Sequence, residues 1–261
     1  MNLVNPPLES LSGRTAVVIG GTSGIGRVLA LGLAAAGADV VASSRRVEQV
    51  ESTAREIESL ARRTLRITCD VCDRPSLENL LAKMIEVFGR VDILLNCAGK
   101  IERAPTVDFP EESWRGILET NLTGTLRGCQ IFGRHMLERG YGRIINVASL
   151  NTFVSLADVA AYAASKAAVG ALTRSLAVEW SKRGVMVNAI APGVFRTSLN
   201  SDLLDNTNRG HELLVRTPIG RFGRPEELIG AAVYLASDAA SFTTGQILVV
   251  DGGFLASGVN Q

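Results

Sequence analysis

A short buried strand, a glycine-rich turn and an apolar helix follow one another near the start of the chain, and this succession constrains the fold most. The strand, RTAVVI at residues 14–19, is rich in the β-branched residues typical of a parallel sheet. The turn GGTSGIG occupies residues 20–26, and the helix after it ends at Gly37. Glycines let the backbone approach a pyrophosphate, which the amides of a helix N-terminus bind. The order therefore predicts a dinucleotide-binding unit, with a tight turn that binds nothing as the alternative.

Strands alternate with helices along the rest of the chain, without a linker, repeat or low-complexity tract. The pattern predicts further strands at 38–44, 65–69, 91–96, 142–149 and 185–191 and a last one from Gln246. It predicts helices at 47–63, 75–89, about 111–137 and 160–183, and a last helix that residues 216–228 begin. We therefore expect one α/β domain over residues 1–261. It is a doubly wound Rossmann-type domain whose parallel sheet of about seven strands carries helices on both faces.

Composition excludes several classes of protein. With 27 basic and 26 acidic residues the net charge is +1, so nothing predicts binding to nucleic acid or to acidic membranes. The first ten residues lack the basic and apolar regions of a signal peptide, and no apolar run reaches the ~18 residues that span a bilayer. We expect a cytoplasmic protein whose partner is a small-molecule substrate.

The cysteines and histidines do not predict a metal site. Cys69 and Cys72 have the spacing of a redox or zinc pair, but no second pair or nearby histidine accompanies them. A small buried thiol at the end of a strand is the simpler interpretation of Cys69. His135 and His211 have no ligand-like neighbours.

The stretch from Ser149 to Lys166 carries the candidate chemistry. Tyr162 and Lys166 are four residues apart, so on a helix they share one face. A lysine cation near the phenol is expected to lower the tyrosine pKa from about 10. The Ser149 hydroxyl, at the end of the apolar run IINVAS, could bind a carbonyl or alcohol oxygen opposite the tyrosine.

Over residues 8–254 the sequence resembles the short-chain dehydrogenase/reductase family. The resemblance rests on the GxxxGxG spacing at 20–26, the YAASK run at 162–166 and the serine 13 residues before its tyrosine. It implies that Ser149, Tyr162 and Lys166 are catalytic and that Asn121 completes a tetrad, holding a helix kink and a water that relays protons from the lysine. Two positions depart from the family pattern, which has threonine at Ile19 and a second asparagine at Cys97.

The strand that ends at Ser44 lacks the acidic residue by which an NAD site binds the ribose hydroxyl, since Asp39 lies at its other end. Ser44 and Arg45, followed by Arg46, could instead hold a 2′-phosphate, which favours NADP, with NAD possible. The arginines could also be the solvated start of the next helix. By resemblance the other cofactor-binding residues are Gly20, Thr22, Ser23, Gly24, Ile25, Gly26, Asp70, Val71, Asn96, Ala98, Gly99, Tyr162, Lys166, Pro192, Gly193, Val194 and Thr197.

Within the family, the stretches at 96–114, 132–140, 179–184, 188–200 and 216–228 resemble the gluconate 5-dehydrogenases most, and related deoxy-ketogluconate dehydrogenases share parts of them. This implies an NADP(H)-dependent interconversion of a secondary alcohol and a ketone on a sugar acid. The alternatives are a 3-oxoacyl-carrier-protein reductase and a non-catalytic NADP-binding sensor. Substrate contacts are expected from Arg103, Ser149, Asn151 and Tyr162, with Arg103 on the acid group. Residues 198–216 are expected to form a substrate lid, and the resemblance implies a homotetramer assembled through the helices at 111–137 and 160–183.

Overall fold

A computed structural model describes residues 10–197 and 201–258. Its strands are β1 (Thr15–Ile19), β2 (Asp39–Ser43), β3 (Ile93–Asn96), β4 (Gly142–Val147), β5 (Val185–Pro192) and β6 (Ile247–Val250). Its α-helices are α1 (Gly24–Ala35), α2 (Val47–Ser59), α3 (Arg74–Phe88), α4 (Glu111–Leu118), α5 (Gly124–Arg139), α6 (Ala160–Trp180), α7 (Ser201–Leu204), α8 (Asn208–Val215) and α9 (Ile229–Ala236). Within these ranges no helix combines the length and apolarity that crossing a bilayer requires.

The six strands form one parallel sheet in the order β2-β1-β3-β4-β5-β6. Successive side chains of a strand point to opposite faces, and the core divides accordingly. Val18 packs with α1 and α9 on one face, whereas Val17 and Ile19 pack with α3, α5 and α6 on the other. The expected doubly wound α/β fold is confirmed, with six strands where about seven were predicted.

The predicted third strand, residues 65–69, is not a strand in the structure. Its segment lies beside β2, where Cys69 donates a backbone hydrogen bond to Ser44 (2.9 Å). One position earlier on β2, the Ser43 side-chain hydroxyl donates a hydrogen bond to the Ile67 carbonyl (2.5 Å). In a regular sheet a backbone amide would bond to that carbonyl. The segment therefore covers the edge of β2 without extending the sheet.

The strand order places the site. The chain adds β2 on one side of β1 and β3 on the other, so the connections diverge at the carboxyl ends of β1 and β3. Such a switch point is where open α/β sheets bind ligands. The glycine turn follows β1 at this point, and residues 97–99 follow β3.

Candidate active site

The glycine turn is packed against the loop after β3. A Cβ on Gly20 would lie 2.5 Å from the Ala98 backbone nitrogen, and Gly20 has a φ of +78°, so only glycine fits. A Cβ on Gly26 would lie 2.1 Å from the Gly20 carbonyl oxygen. Gly24, at the first turn of α1, faces open space, and this turn carries no acidic side chain. The amides at the start of α1 therefore form an anion-binding end that opens into the cavity beside them.

The carboxyl end of β2 is basic. Ser44 accepts a hydrogen bond from the Thr22 hydroxyl (2.7 Å), while Arg45 and Arg46 are exposed at the start of α2. Asp39 lies at the opposite end of the strand and accepts a bond from the Arg63 backbone nitrogen (2.9 Å). The acidic residue of this strand therefore lies away from Ser44 and Arg45.

Tyr162 and Lys166 lie one turn apart on α6, and Ser149 lies just beyond β4. The Lys166 ammonium is buried, donates to the Val147 carbonyl (2.6 Å) and lies 5.7 Å from the centre of the Tyr162 ring. The Ser149 hydroxyl accepts from the Asn151 backbone nitrogen (3.2 Å). The spacing in sequence thus places all three side chains at one wall of the cavity.

Burial dominates the protonation of this group. It raises the pKa of Tyr162 above its ordinary value, and a hydrogen bond from Ser149 opposes the rise. Burial also lowers the pKa of Lys166 from 10.5 to about 8. The expectation that Lys166 would bring the tyrosine pKa below 10 is wrong for this structure, because burial of the phenol raises its pKa. The Lys166 ammonium bonds to the Val147 carbonyl and lies over the ring.

Asn121 lies within a π-helical turn, Glu119–Thr123, which separates α4 from α5. Its side chain accepts a hydrogen bond from the Lys100 backbone nitrogen (2.7 Å). It also donates hydrogen bonds to the Lys100 backbone carbonyl (2.9 Å) and to the Ser165 hydroxyl (3.0 Å). The predicted helix at 111–137 is therefore interrupted at Asn121, which ties the loop after β3 to α6. π-turns of this kind occur frequently at functional sites.

One cavity of about 650 Å³ collects most of the predicted site residues. Those that line it are Gly20, Ser23, Gly24, Ile25, Gly26, Ser44, Arg45, Arg46, Asp70, Val71, Ala98, Gly99, Arg103, Ser149, Asn151, Tyr162, Lys166, Pro192, Gly193, Val194 and Thr197. Thr22, Asn96 and Asn121 do not line it. Thr22 and Asn121 bond to residues that do, whereas Asn96 donates to Asn146 (2.9 Å) between β3 and β4. Direct cofactor contacts by Thr22 and Asn96 stay predictions.

The structure adds cavity residues that the sequence analysis did not single out. Arg209 on α8 lies beside Arg103, and Leu204 and Leu213 of the predicted lid also line the wall. Cys97 is partly buried near Lys166, and desolvation raises the pKa of its thiol to about 11, so it stays a neutral thiol. No local sequence signal marks Arg209, because its proximity to Arg103 arises from the packing of two distant loops. Residues 198–200 of the predicted lid lie outside the described residues.

Comparison with known proteins gives the family. A family model described as enoyl-(acyl carrier protein) reductase matches residues 20–255. The chain is 42% identical to a 2-dehydro-3-deoxy-D-gluconate 5-dehydrogenase of Bacillus subtilis, over 94% of this chain and 96% of the relative. It is 40% identical to a D-threitol dehydrogenase of Mycolicibacterium smegmatis, over 94% of each.

A solved structure has the same fold. It is a gluconate 5-dehydrogenase from Burkholderia cenocepacia in complex with NADP and tartrate. It is 37% identical, with a TM-score of 0.92 over 96% of this chain and 98% of that one. Together with the glycine turn and the serine, tyrosine and lysine at one cavity wall, these matches show that the chain belongs to the short-chain dehydrogenase/reductase family.

Proposed function

We propose that this protein is an NADP(H)-dependent oxidoreductase that interconverts a secondary hydroxyl and a ketone on a sugar acid of the gluconate type. The observation that carries the proposal is one cavity lined by Ser149, Tyr162 and Lys166 together with the glycine turn. The relatives named for gluconate and for 2-dehydro-3-deoxygluconate support the sugar-acid class.

The residues present fit NADP. The open start of α1 at Gly24 suits the pyrophosphate, and Ser44 with Arg45 suits the 2′-phosphate. Asp70 and Val71 line the part of the cavity assigned to the adenine. The bound cofactor supplies or accepts the hydride, and the protein supplies position and proton transfer.

Tyr162 is the proton donor to the substrate oxygen in reduction and the acceptor in oxidation. Its raised pKa keeps the phenol protonated near neutral pH, which is the form that reduction needs. Ser149 holds the same oxygen. Lys166 holds the positive charge that stabilises a phenolate as it forms, since a pKa of about 8 leaves it mainly protonated at pH 7. Asn121, as the fourth member, fixes the backbone at Lys100 next to this group.

Arg103 holds the acid group of the substrate. An enclosed carboxylate must meet a positive charge or lose affinity. Lys100 is already paired with Glu102 (2.6 Å), and Arg196 is paired with Asp205 (2.5 Å). Arg103 lines the cavity and forms no ion pair with any residue in 10–197 or 201–258, so its guanidinium can bind a carboxylate in the bidentate way.

Residues 201–216, the described part of the predicted lid, act as a lid over the substrate. Leu204 and Leu213, on α7 and α8, line the cavity and pack with Leu150 and Phe254. A lid of this kind excludes water when the substrate binds.

We also propose a homotetramer assembled through α4, α5 and α6. The proposal rests on the family resemblance; Val178 on α6 is 79% exposed in one chain, and an interface on this helix would cover it. Sedimentation equilibrium tests this assembly: a mass of four chains is expected, and a monomer would contradict it.

A substrate panel tests the function. Gluconate, 5-ketogluconate, 2-dehydro-3-deoxygluconate, D-threitol and a 3-oxoacyl thioester are each assayed with NADP(H) and with NAD(H). We expect the highest kcat/KM for a sugar acid with the phosphorylated cofactor. Turnover of the thioester alone would favour the 3-oxoacyl-carrier-protein reductase; the matching family model is described by a different acyl-carrier-protein enzyme, an enoyl reductase. Cofactor binding without turnover of any substrate would favour the sensor.

A further inference from the structure

The substrate end of the cavity contains two arginines that come from different parts of the chain. Arg103 lies in the loop after β3, and Arg209 lies on α8 of the proposed lid. Both line the cavity, near the apolar side chains of Leu156 and Val159. Two guanidinium groups that line one cavity and interact electrostatically make that part of the cavity attractive to an anion.

We propose that Arg209 is a second specificity-determining residue, which binds the substrate carboxylate together with Arg103 and exchanges its contact with Asp158 for that carboxylate. The inference rests on the proposed sugar-acid function. It assigns to α8 a direct part in recognition, so that the lid carries half of the anion site.

Asp158 provides the internal partner that the substrate replaces. The nearest Arg209 nitrogen lies 3.8 Å from an Asp158 carboxylate oxygen, beyond hydrogen-bond distance, while another donates to the Ala157 carbonyl (2.9 Å). The Asp158 carboxylate is 47% exposed, so this ion pair is weak. A substrate carboxylate that makes charge-assisted hydrogen bonds can therefore replace it.

The same aspartate connects the two arginines. The Asp158 carbonyl accepts a hydrogen bond from the Ala104 nitrogen (3.1 Å), next to Arg103. Asp158 also has a φ of +65°, in the left-handed region that residues other than glycine rarely adopt. The loop is thus held in an uncommon conformation where it bridges Arg103 and the lid helix, and such residues cluster at ligand-binding sites.

Repulsion between the arginines supports the proposal. Burial, and then the charge of Arg209, lower the pKa of Arg103 from its ordinary value. An anion between the two guanidinium groups relieves this repulsion, whereas a neutral polyol does not. The site therefore favours an acid over a polyol, a distinction that family relatives cannot supply, because those of similar identity are named for both classes.

Arginines at the other end of the cavity do not compete for this role. Arg45 and Arg46 follow β2, and β1 and β3 separate β2 from β4, whose loop carries Asp158. The cavity consequently has one basic end for the cofactor phosphate and a second for the substrate acid.

Steady-state kinetics on two variants with opposite expected effects test the inference. Arg209→Gln should raise KM for gluconate at least about tenfold, which is the effect expected from the loss of one charge-assisted hydrogen bond. Neither kcat nor the Kd for NADP should change much. Asp158→Asn keeps a residue that tolerates positive φ but removes the competing charge, so KM for gluconate should fall by up to about fivefold. Arg224→Gln is the matched control, since Arg224 lies outside the lid, also has its nearest carboxylate 3.8 Å away (Glu227) and does not line the cavity.

The outcomes separate this inference from the function on which it rests. Opposite changes of KM in the two variants support the inference, since a loosened lid would weaken binding in both. An unchanged KM in Arg209→Gln, or a KM that rises in Asp158→Asn, overturns it while wild-type gluconate turnover leaves the function standing. No turnover or binding of any sugar acid by the wild type overturns both.

Discussion

Replacement of Lys166 by methionine should make the protein more stable at neutral pH while it removes activity. Lys166 is 5% exposed, and burial lowers its pKa from 10.5 to about 8. At 1.36 kcal/mol per pH unit, keeping this ammonium charged in the folded state costs about 3 kcal/mol. Methionine has a similar length and no charge, but it loses the hydrogen bond to Val147, which contributes about 1 kcal/mol. The variant should therefore be about 2 kcal/mol more stable at pH 7.

The lowered pKa of Lys166 also determines how the stability difference between the two proteins changes with pH. Because the folded pKa lies below the unfolded one, the unfolded chain binds more protons between pH 8 and 10.5, and the wild type gains stability as pH rises through this window. The cost is fully present below pH 8 and absent above pH 10.5. Near pH 10 the remaining cost of the charged lysine falls to about 1 kcal/mol and equals the hydrogen bond that the variant lacks, so the two proteins should be equally stable there. At higher pH the wild type should be the more stable protein.

Equilibrium unfolding in urea at pH 7 and at pH 10.5 measures both effects, with equal m values as a check that the unfolded states match. Lys83→Met serves as the control, because Lys83 is exposed on α3 beside Glu86 and should change stability little at either pH. A Lys166→Met protein less stable than wild type at pH 7, or a stability difference that does not depend on pH, would refute the reasoning.

Three further variants test the site. Tyr162→Phe keeps the ring but removes the proton donor, so turnover should fall about 10²–10⁴-fold with cofactor affinity unchanged in a fluorescence titration; near-normal turnover would reject the mechanism. Arg45→Ala should weaken the binding of NADPH about 10- to 100-fold and that of NADH hardly at all. The control Arg55→Ala, on the exposed side of α2, should alter the binding of neither cofactor. A wild type that prefers NADH would contradict the assignment of Arg45 to the 2′-phosphate. Gly20→Ala should abolish cofactor binding and lower the melting temperature by more than the control Gly89→Ala. Both glycines have positive φ, but only a Cβ at Gly20 would meet backbone atoms. Equal losses of stability in thermal unfolding would show that the close packing at Gly20 is unimportant.

Local patterns predicted much of the architecture and the catalytic face. The apolar runs gave β1, β2, β3, β4 and β5 within a few residues of the observed bounds, because parallel strands buried on both faces are continuously hydrophobic. The four-residue spacing of Tyr162 and Lys166 placed both at the cavity, since helix geometry alone fixes that relation.

Predictions that depended on neighbours distant in the chain were less accurate. The segment 65–69 has a strand-like composition, but a side-chain hydroxyl on β2 replaces part of its ladder. The tyrosine pKa depends on how deeply the phenol is buried and on which group the lysine ammonium bonds, and neither follows from spacing.

The sequence by itself determined the succession of strands and helices, the glycine turn and the residues that can transfer a proton, because hydrophobic period, backbone freedom and side-chain chemistry are local properties. Only the tertiary structure decided which charges meet. Arg103 and Arg209 are more than a hundred residues apart in the chain, and the packing of α8 against the loops after β3 and β4 brings them to one cavity wall. Electrostatic and desolvation energies depend on distance and burial in space, so the substrate end of the site and the protonation of Lys166 follow from the fold and not from local sequence.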